Sequence, residues 1–572
     1  MKQTGAQIIV KLLEMYGIET VAGIPGGMIL PLYDELNKSK IRHVLVRQEQ
    51  AAGFIAQGIA RSTGNVAVCM ATSGPGALNL LTAVADARAD SVPIIAITGQ
   101  VNTTQIGTDA FQEADTFGLS FPVTKHSILV KTPEELLEAI PRAFEIALNG
   151  RPGPVLIDIP RDVQLKECEF KEWPDISKVR VHDIRFHTPI DEYAEKMGEI
   201  SSLLAGAKKP VLFCGGGCNS NQASAGIQGF INNYPLPVVT SLMGLGCIPN
   251  DSPDFIGMVG MHGSYAANVA MNEADVVIAA GVRFDDRATG LVSKFCPNAK
   301  IIHIDVDAAE VDKILDSTIS VVADVESVFP VLAQLVSEKK IKSDTSWLKK
   351  ITKLKEENYS IESGRPKNEK LTNPRELIAK LPEYAAYSGL NQGDLLVTTD
   401  VGQHQMWAAQ YYPVDRPRSF LTSGSLGTMG FGLPAAIGAA LANPEKRVIC
   451  ISGDGSIMMN IQELATLREL NLGVTVIVLQ NGTLGMVYQQ QKYLFDKNYS
   501  ASVFSQNPDL LAIAAGFGIE TVDADTDPEW YKKAFDANRS NKPCFVKVSV
   551  DSEENVLPFV PGGRANIDAI RN

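Results

Sequence analysis

Two short stretches of this chain carry residue types that suit phosphate and metal chemistry: Gly453-Asp454-Gly455-Ser456 and, further on, Gln480-Asn481-Gly482. The segment between Asp454 and Asn481 reads as one helix followed by one strand. An acid at the end of one strand and an amide at the end of the next place two hard oxygen ligands at one carboxyl edge of a parallel sheet, where open α/β sheets bind cofactors. Such a pair suits Mg²⁺, which takes one or two carboxylates and fills its shell with water and phosphate oxygens. The backbone carbonyl of Thr483 is a third candidate ligand. Gly453 and Gly455 would let the backbone approach a diphosphate closely. Ser456 starts a helix, so its N–H and hydroxyl could meet a phosphate oxygen. A capped Gly-Asp-Gly turn is the ordinary reading of the tripeptide alone; the amide after the next strand shifts the balance toward a metal.

The elements that must position these residues fall into three blocks. The chain has 572 residues, too many for one ordinary domain. Apolar strands alternate with amphipathic helices in residues 1–170, 190–340 and 375–572, as in Val66–Met70, Val276–Ala280 and Val474–Leu479. This is the pattern of βαβ units and parallel sheets, so the expected class is α/β with three doubly wound parallel-sheet domains. A polar stretch from Lys166 to Pro189 reads as a linker, and the charged, strand-poor segment within 341–374 as a connector with some helix. The net charge of −13 and a pI near 5.2 argue against nucleic acid or an anionic membrane as partner. There is no apolar run long enough to span a bilayer and no signal-peptide pattern. Eight scattered cysteines suit a reducing cytoplasm, with Cys214 and Cys218 read as structural thiols.

Glycine-rich turns mark the remaining strand ends. Ala22-Gly23-Ile24-Pro25-Gly26-Gly27 ends a strand and starts a helix, a turn that can present N–H groups to a developing oxyanion. Thr72-Ser73-Gly74-Pro75-Gly76 repeats it one unit later. Ser423–Gly432 is dense in glycine and would let a cofactor lie against the backbone, with Met429 as an apolar wedge. In the middle block, Cys214-Gly215-Gly216-Gly217-Cys218 follows a strand like a nucleotide phosphate turn, without the spacing of the usual fingerprint. Ile304-Asp305-Val306-Asp307 closes a later strand, where a carboxylate could accept bonds from a ribose. Arg283–Arg287 packs charge between strands. Together these suggest a dinucleotide over the middle block. Glu49 opens a helix after the strand His43–Val46, where the helix dipole alone would stabilise it.

These residues resemble the catalytic subunit of the acetohydroxyacid synthase (acetolactate synthase) family of thiamin diphosphate enzymes, over nearly the whole chain. The matching stretches are Gly26-Gly27, Arg47–Gln50, Thr72–Gly76, Ile106–Gln112, Arg151–Pro154, Gly260–Gly263, Phe284–Arg287, Val401–Trp407 and Gly453–Ser456. The resemblance implies an N-terminal pyrimidine-binding domain, a central FAD-binding domain and a C-terminal diphosphate- and Mg²⁺-binding domain. It further implies a homodimer or tetramer with interfacial active sites, a small regulatory subunit in many members, and FAD without a net redox role. The implied reaction is decarboxylation of pyruvate on thiamin diphosphate. The hydroxyethyl group is then ligated to a second pyruvate, giving 2-acetolactate, or to 2-ketobutyrate, giving 2-aceto-2-hydroxybutyrate, in branched-chain amino acid biosynthesis.

By the same resemblance Glu49 of a second subunit activates the cofactor, Gly27 supplies an N–H near the reacting centre, and Gln112 and Phe111 line the acceptor side. Val401, Gly402, Gln403, His404, Gly427, Met429, Gly453, Asp454, Gly455, Ser456 and Met486 would contact thiamin diphosphate, with Asp454, Asn481 and Thr483 on the metal. Arg151, Gly215, Gly216, Gly217, Met261, His262, Arg283, Asp305 and Asp324 would lie along FAD. Arg161 and Arg287 are candidates for the acceptor carboxylate, a task suited to a bidentate guanidinium.

Three departures stand out. Gln48 replaces a frequent His, Gln480 the first of a paired Asn-Asn, and Gln490 a Trp linked with preference for 2-ketobutyrate. The pattern is closest to the bacterial isozyme I group, with low 2-ketobutyrate preference expected. A pyruvate oxidase, which would use FAD as a redox partner, and a catabolic acetolactate synthase are the rival readings.

Overall fold

The computed structural model describes residues 1–176, 191, 193–363 and 371–571. Three six-stranded sheets, parallel throughout, account for most of the architecture. The first runs Arg42–Leu45, Thr20–Gly23, Ala67–Ala71, Ile94–Gln100, Val155–Pro160, His126–Leu129. The third runs Phe420–Leu421, Leu395–Thr399, Arg447–Gly453, Val474–Gln480, Cys544–Ser549, Glu520–Asp523. With strands numbered in chain order inside each sheet, both read 2-1-3-4-6-5. The middle sheet, Phe255–Met258, Val238–Thr240, Pro210–Cys214, Val276–Ala280, Lys300–Asp305, Ile319–Val322, reads 3-2-1-4-5-6, an order shared with dinucleotide-binding sheets.

The strands are apolar runs because helices cover both sheet faces. Ala67–Ala71, Val276–Ala280 and Leu395–Thr399 are buried at every residue. The first and third domains meet through two helices, Glu49–Thr63 and Gly432–Ala442, whose backbones touch at glycines. A Cβ on Gly58 would run into the Ala435 carbonyl, and one on Gly438 into the Ile55 carbonyl. Phe54 and Phe431 close the contact edge to face, with ring centroids 5.4 Å apart.

Two expectations need adjusting, those for the polar stretch from Lys166 and for the segment between Asp454 and Asn481, while the connector has the helix expected of it. The polar stretch from Lys166 begins as a strand, Glu167–Glu169, pairing antiparallel with Lys2–Thr4; residues 177–189 of the expected linker lie outside the described residues. The connector carries the helix Thr345–Ser363, whose Trp347 and Ile351 pack into the middle domain's core, while 364–370 lie outside the described residues. Between Asp454 and Asn481 there are two helices, Asp454–Ile457 and Glu463–Leu470, before the strand Val474–Gln480. The eight cysteines are buried free thiols. Among the described residues no helix is long and apolar enough to cross a membrane.

Candidate active site

A cleft of about 870 Å³ opens between the carboxyl edges of the middle and third sheets, with a turn of the first domain, Asp90–Pro93, on its wall. At its third-domain end lie Asp454, Asn481 and Thr483. Asp454 follows the strand Arg447–Gly453; its Oδ2 accepts from Gly482 N (2.7 Å) and its Oδ1 from Gly455 N (3.1 Å). Burial pushes its carboxyl up to about 6. Asn481 Oδ1 accepts from Thr483 N (3.0 Å) and Thr483 Oγ1 (2.9 Å), and its Nδ2 donates to Gln403 Oε1 (3.2 Å). The acid and the amide thus leave adjacent strands, cross-linked through the Gly482 N–H.

Val401, Gly402, Gln403, His404, Gly427, Met429, Gly453, Gly455, Ser456, Met486 and Gln490 share this end. Two glycines have a job that spacing alone did not show. The His404 ring sits between Gly402 and Gly453: a Cβ on Gly402 would meet His404 Cε1 at 2.8 Å, and one on Gly453 would meet Nδ1 at 2.9 Å. Gly455 likewise makes room for Leu484 and Phe504. Burial pushes His404 down to about 3, so its ring is neutral. The Ser456 hydroxyl, read from sequence as a phosphate partner, turns inward instead. It bonds Ser452 Oγ (3.1 Å) and His404 Nε2 (3.5 Å) and accepts from Gly453 N (3.2 Å).

At the other end, Arg151, Gly215, Gly216, Gly217, Met261, His262, Arg283, Asp305 and Asp324 line the same cleft, joined by Arg287. Gly215 and Gly217 are forced by packing, since a Cβ on either would strike Gly281. Gly216 meets only Met243 Cβ, at 3.3 Å, and is free to approach a ligand. Arg151 is held by Glu310 (2.6 Å) and by Ser91 Oγ (2.8 Å). Burial raises Asp305 to about 6. Asp324 caps the helix Val325–Glu338, its side chain accepting from Glu326 N.

Glu49, Gly27, Phe111, Gln112 and Arg161 are absent from this cleft. They gather at the carboxyl edge of the first sheet. Glu49 is the first residue of Glu49–Thr63, with Gln48 as its cap accepting from Gln50 N (2.6 Å). Glu49 is half-buried, and its Oε2 accepts from Asn79 Nδ2 (3.0 Å). Gln112 packs its backbone on Gly74, and Gly26 lies against Thr72. Phe111 is 82% exposed. The loop carrying Phe111 and Gln112 hangs from Gln100, whose Nε2 donates to Ala114 O (2.9 Å) and to the buried Asp158 (2.9 Å). Arg161 begins the short helix Arg161–Leu165 at the end of the strand Val155–Pro160.

Three family models cover the chain in order: the thiamine pyrophosphate enzyme N-terminal TPP binding domain over residues 3–119, the central domain over 197–335, and the C-terminal TPP binding domain over 400–548. Acetolactate synthase isozyme 1 large subunit of Escherichia coli (strain K12) is 47% identical over 568 residues, covering 99% of this chain and 97% of its own. The isozyme 2 large subunit of the same organism is 43% identical, with 99% of each chain covered. The chain belongs to the acetolactate synthase large-subunit family. The acetolactate synthase large subunit of Lactococcus lactis subsp. lactis (strain IL1403) is 41% identical, covering 98% of this chain and 95% of its own.

In this acetolactate synthase chain, one buried cluster escaped the sequence reading. Arg61 of the first domain pairs with Asp90 (2.9 Å) and Asp86 (3.4 Å), all three nearly inaccessible. Asp90 accepts from Gly424 N and Ser425 N, both at 2.8 Å, and Asp86 from the Ser423 and Thr428 hydroxyls. The first domain thereby grips the glycine-rich loop that presents Gly427 and Met429. The next residue, Ser91, holds Arg151 at the other end of the cleft. Nothing in local sequence links Asp90 with Gly424; only the hydroxyl-rich composition of Ser423–Thr428 hints that the loop needs partners.

Proposed function

We propose that this chain, an acetolactate synthase catalytic subunit, binds thiamin diphosphate through Mg²⁺ at Asp454, Asn481 and Thr483, with FAD along the middle-domain end of the cleft. The donor set fits a hard cation: one carboxylate and one carboxamide oxygen on adjacent strand ends. Among the described residues no group of three or more His, Cys, Asp or Glu is placed to hold a metal, so the remaining ligands would come from backbone and phosphate oxygens. Gly427, at φ +67° with only Val401 Cγ1 near its missing Cβ (3.9 Å), leaves space for a ring system beside Met429. For FAD, the 3-2-1-4-5-6 order puts Gly216 and Arg283 at the switch point between the first and fourth strands, with Asp305 one strand further on.

The chemistry that bound thiamin diphosphate supplies is a nucleophilic thiazolium carbon and an electron sink for the bond that breaks as CO₂ leaves pyruvate. The protein's part is positional and protic. Glu49 would share a proton with N1′ of the aminopyrimidine. Met429 would wedge the cofactor into its folded form, and neutral His404 would contact it without adding charge. Gly27 would offer its N–H to the substrate oxygen. Phe111, Gln112 and Gln490 would bound the acceptor, pyruvate or 2-ketobutyrate, with Arg161 or Arg287 on its carboxylate.

One observation carries the assembly: the cleft holds every expected diphosphate and flavin residue, Arg151 of the first domain included, and none of Glu49, Gly27, Phe111, Gln112 and Arg161. A second copy of the chain would bring Glu49, Gly27 and Gln112 to it. Exposed apolar side chains on both edges suit that contact: Phe111, Phe121 (69%) and Leu165 (50%) on the first domain, Leu426 (50%) and Met459 (53%) on the third. A small regulatory subunit, consistent with relatives named large subunits, and a cytoplasmic location complete the proposal. The test is acetolactate formation from pyruvate with thiamin diphosphate, Mg²⁺ and FAD. Mixing a Glu49→Gln chain with an Asp454→Ala chain should restore some activity through hybrid dimers; no recovery in verified heterodimers would refute the shared site. Rapid stoichiometric flavin bleaching by pyruvate without oxygen would favour an oxidase instead.

A further inference from the structure

A carboxamide ligand has a requirement that a carboxylate lacks. Only one of its two ends can bind a cation, and the other end is a donor that repels it. Asn481 therefore serves as a ligand only if its oxygen faces the cleft and its nitrogen faces the protein. The nitrogen donates to Gln403 Oε1 (3.2 Å), but Gln403 is itself an amide and could turn over. Its orientation is set in turn: Gln403 Nε2 donates to Gln489 Oε1 (3.1 Å) and to the Glu554 carbonyl (2.9 Å). Gln489 is a third amide, fully buried and outside the cleft lining. It is paired twice with one backbone residue, its Nε2 donating to Val556 O (2.9 Å) and its Oε1 accepting from Val556 N (2.7 Å).

That last pairing cannot be reversed. A backbone N–H and C=O have fixed roles, so a flipped Gln489 would set donor against donor and acceptor against acceptor, leaving buried groups unpaired at about 1–3 kcal/mol each. The Glu554–Val556 segment is itself anchored by the buried Arg375–Glu554 ion pair (2.8 Å). Polarity thus passes from the backbone of Val556 through Gln489 and Gln403 to Asn481. The far end agrees: the Asn481 oxygen accepts both Thr483 donors, N at 3.0 Å and Oγ1 at 2.9 Å. Gly485 makes room for the relay, since a Cβ there would press on Gln403 Oε1 and lie 2.8 Å from Asn481 Nδ2.

We propose that Gln489 is a positioning residue that, through Gln403, fixes the Asn481 carboxamide with its oxygen toward the cleft and so sets the affinity of the divalent-cation site. The inference rests on the reading of Asp454 and Asn481 as cation ligands. It also separates two neighbours on the helix Gly485–Leu494: Gln489 points inward to the relay, and Gln490 lines the cleft.

The test uses full-length, metal-stripped protein with FAD and thiamin diphosphate, titrated with Mn²⁺ while free Mn²⁺ is followed by electron paramagnetic resonance. Partners that orient metal ligands typically change metal affinity by about 10–100-fold when removed, and Gln489→Met is expected to weaken Mn²⁺ by about the lower figure. FAD content should stay at the wild-type value, while the unfolding temperature without metal should fall, because the Val556 N–H and C=O lose their partner; Mn²⁺ affinity is therefore read well below that temperature. Gly485→Ala, which leaves Gln489 in place but crowds the Asn481–Gln403 pair, should weaken Mn²⁺ similarly. Tyr488→Phe, which removes a hydroxyl on the same helix that bonds Glu553 (2.7 Å) and has no bond to the relay, should not. Adding Asn481→Asp to Gln489→Met should recover affinity, because a carboxylate presents oxygen at either end. The proposal fails if both Gln489→Met and Gly485→Ala bind Mn²⁺ like wild type, if Tyr488→Phe costs as much as they do, or if Asn481→Asp gives no recovery. A wild-type protein that binds no Mn²⁺ would instead sink the cation reading, and the relay with it.

Discussion

The first and third domains share one strand order and put different chemistry into the same positions. Strand two of the first sheet exits into Gln48 and Glu49; strand two of the third exits into the loop bearing Gly427 and Met429. Strand three exits into Thr72–Gly76 in one and into Asp454 in the other. Strand four exits into the loop with Phe111 and Gln112, or into Asn481 and Thr483. One edge therefore holds Glu49 beside packed glycine turns, and the other the residues proposed above as a cation's ligands. Even the helices after strand two pack on each other, each giving a glycine to the other's backbone. A sheet edge of this kind is a set of sites whose chemistry depends on the residue placed at each strand exit, not on the topology.

The largest effects should break the two edges in different ways. Removing a positioned acid–base group typically costs about 10²–10⁴-fold in rate, so Glu49→Gln should lower kcat within that range. Its affinity for thiamin diphosphate with Mg²⁺, measured by quenching of intrinsic fluorescence, should stay near wild type. Asp454→Ala should do the reverse, raising the Kd for Mn²⁺ and thiamin diphosphate by at least about the 10–100-fold typical of even the partners of metal ligands. If Glu49→Gln lost cofactor affinity and Asp454→Ala kept it, the division of labour between the edges would be wrong.

A smaller effect tests the seam that joins them. Gly58→Val forces a branched side chain against the Ala435 carbonyl, and overpacking of this kind costs about 1–3 kcal/mol. Calorimetry should show a lower unfolding temperature. Because Glu49 and Met429 flank the two seam helices, activity should fall more than the content of folded protein. An unchanged unfolding temperature would mean that the helices can slide apart without cost.

Much of both edges was legible in the sequence, because the strand exits lie within a few residues of the strands that aim them. Asp454 and Asn481, Gly215–Gly217 and Asp305, and the apolar runs behind them, all announce themselves through local pattern. What pattern could not show is long-range satisfaction of buried polar groups. The Arg61–Asp86–Asp90 grip on Ser423–Thr428 and the Gln403–Gln489 relay join residues far apart in the chain, by bonds that any Arg, Asp or Gln could make. Glycine had a second role hidden for a related reason. Gly453 and Gly455 line the cleft, and they also make room for His404 and Leu484. Helix count between Asp454 and Asn481 was also beyond local pattern, since Asp454–Ile457 is barely one turn.

The smallest expected effect concerns the acceptor. Gln490 lines the cleft from the helix Gly485–Leu494, one position after the buried Gln489 that fixes the helix face. On the reading proposed above, replacing it by Trp exchanges a polar amide for a flat apolar surface beside the acceptor, where 2-ketobutyrate would differ from pyruvate by one methylene. Burying a CH₂ is worth about 0.8 kcal/mol, a preference of about fourfold, and pocket discrimination of one methylene does not exceed about 1–3 kcal/mol. Gln490→Trp should therefore raise the ratio of 2-aceto-2-hydroxybutyrate to 2-acetolactate formed from mixed ketoacids by about the former factor, with pyruvate consumption alone little changed. The direction is decided by which edge bounds the acceptor. If the third-domain edge does, the ratio rises. If the first-domain residues Phe111 and Gln112 bound it alone, the ratio stays where it was, and substitutions at Phe111 move it instead.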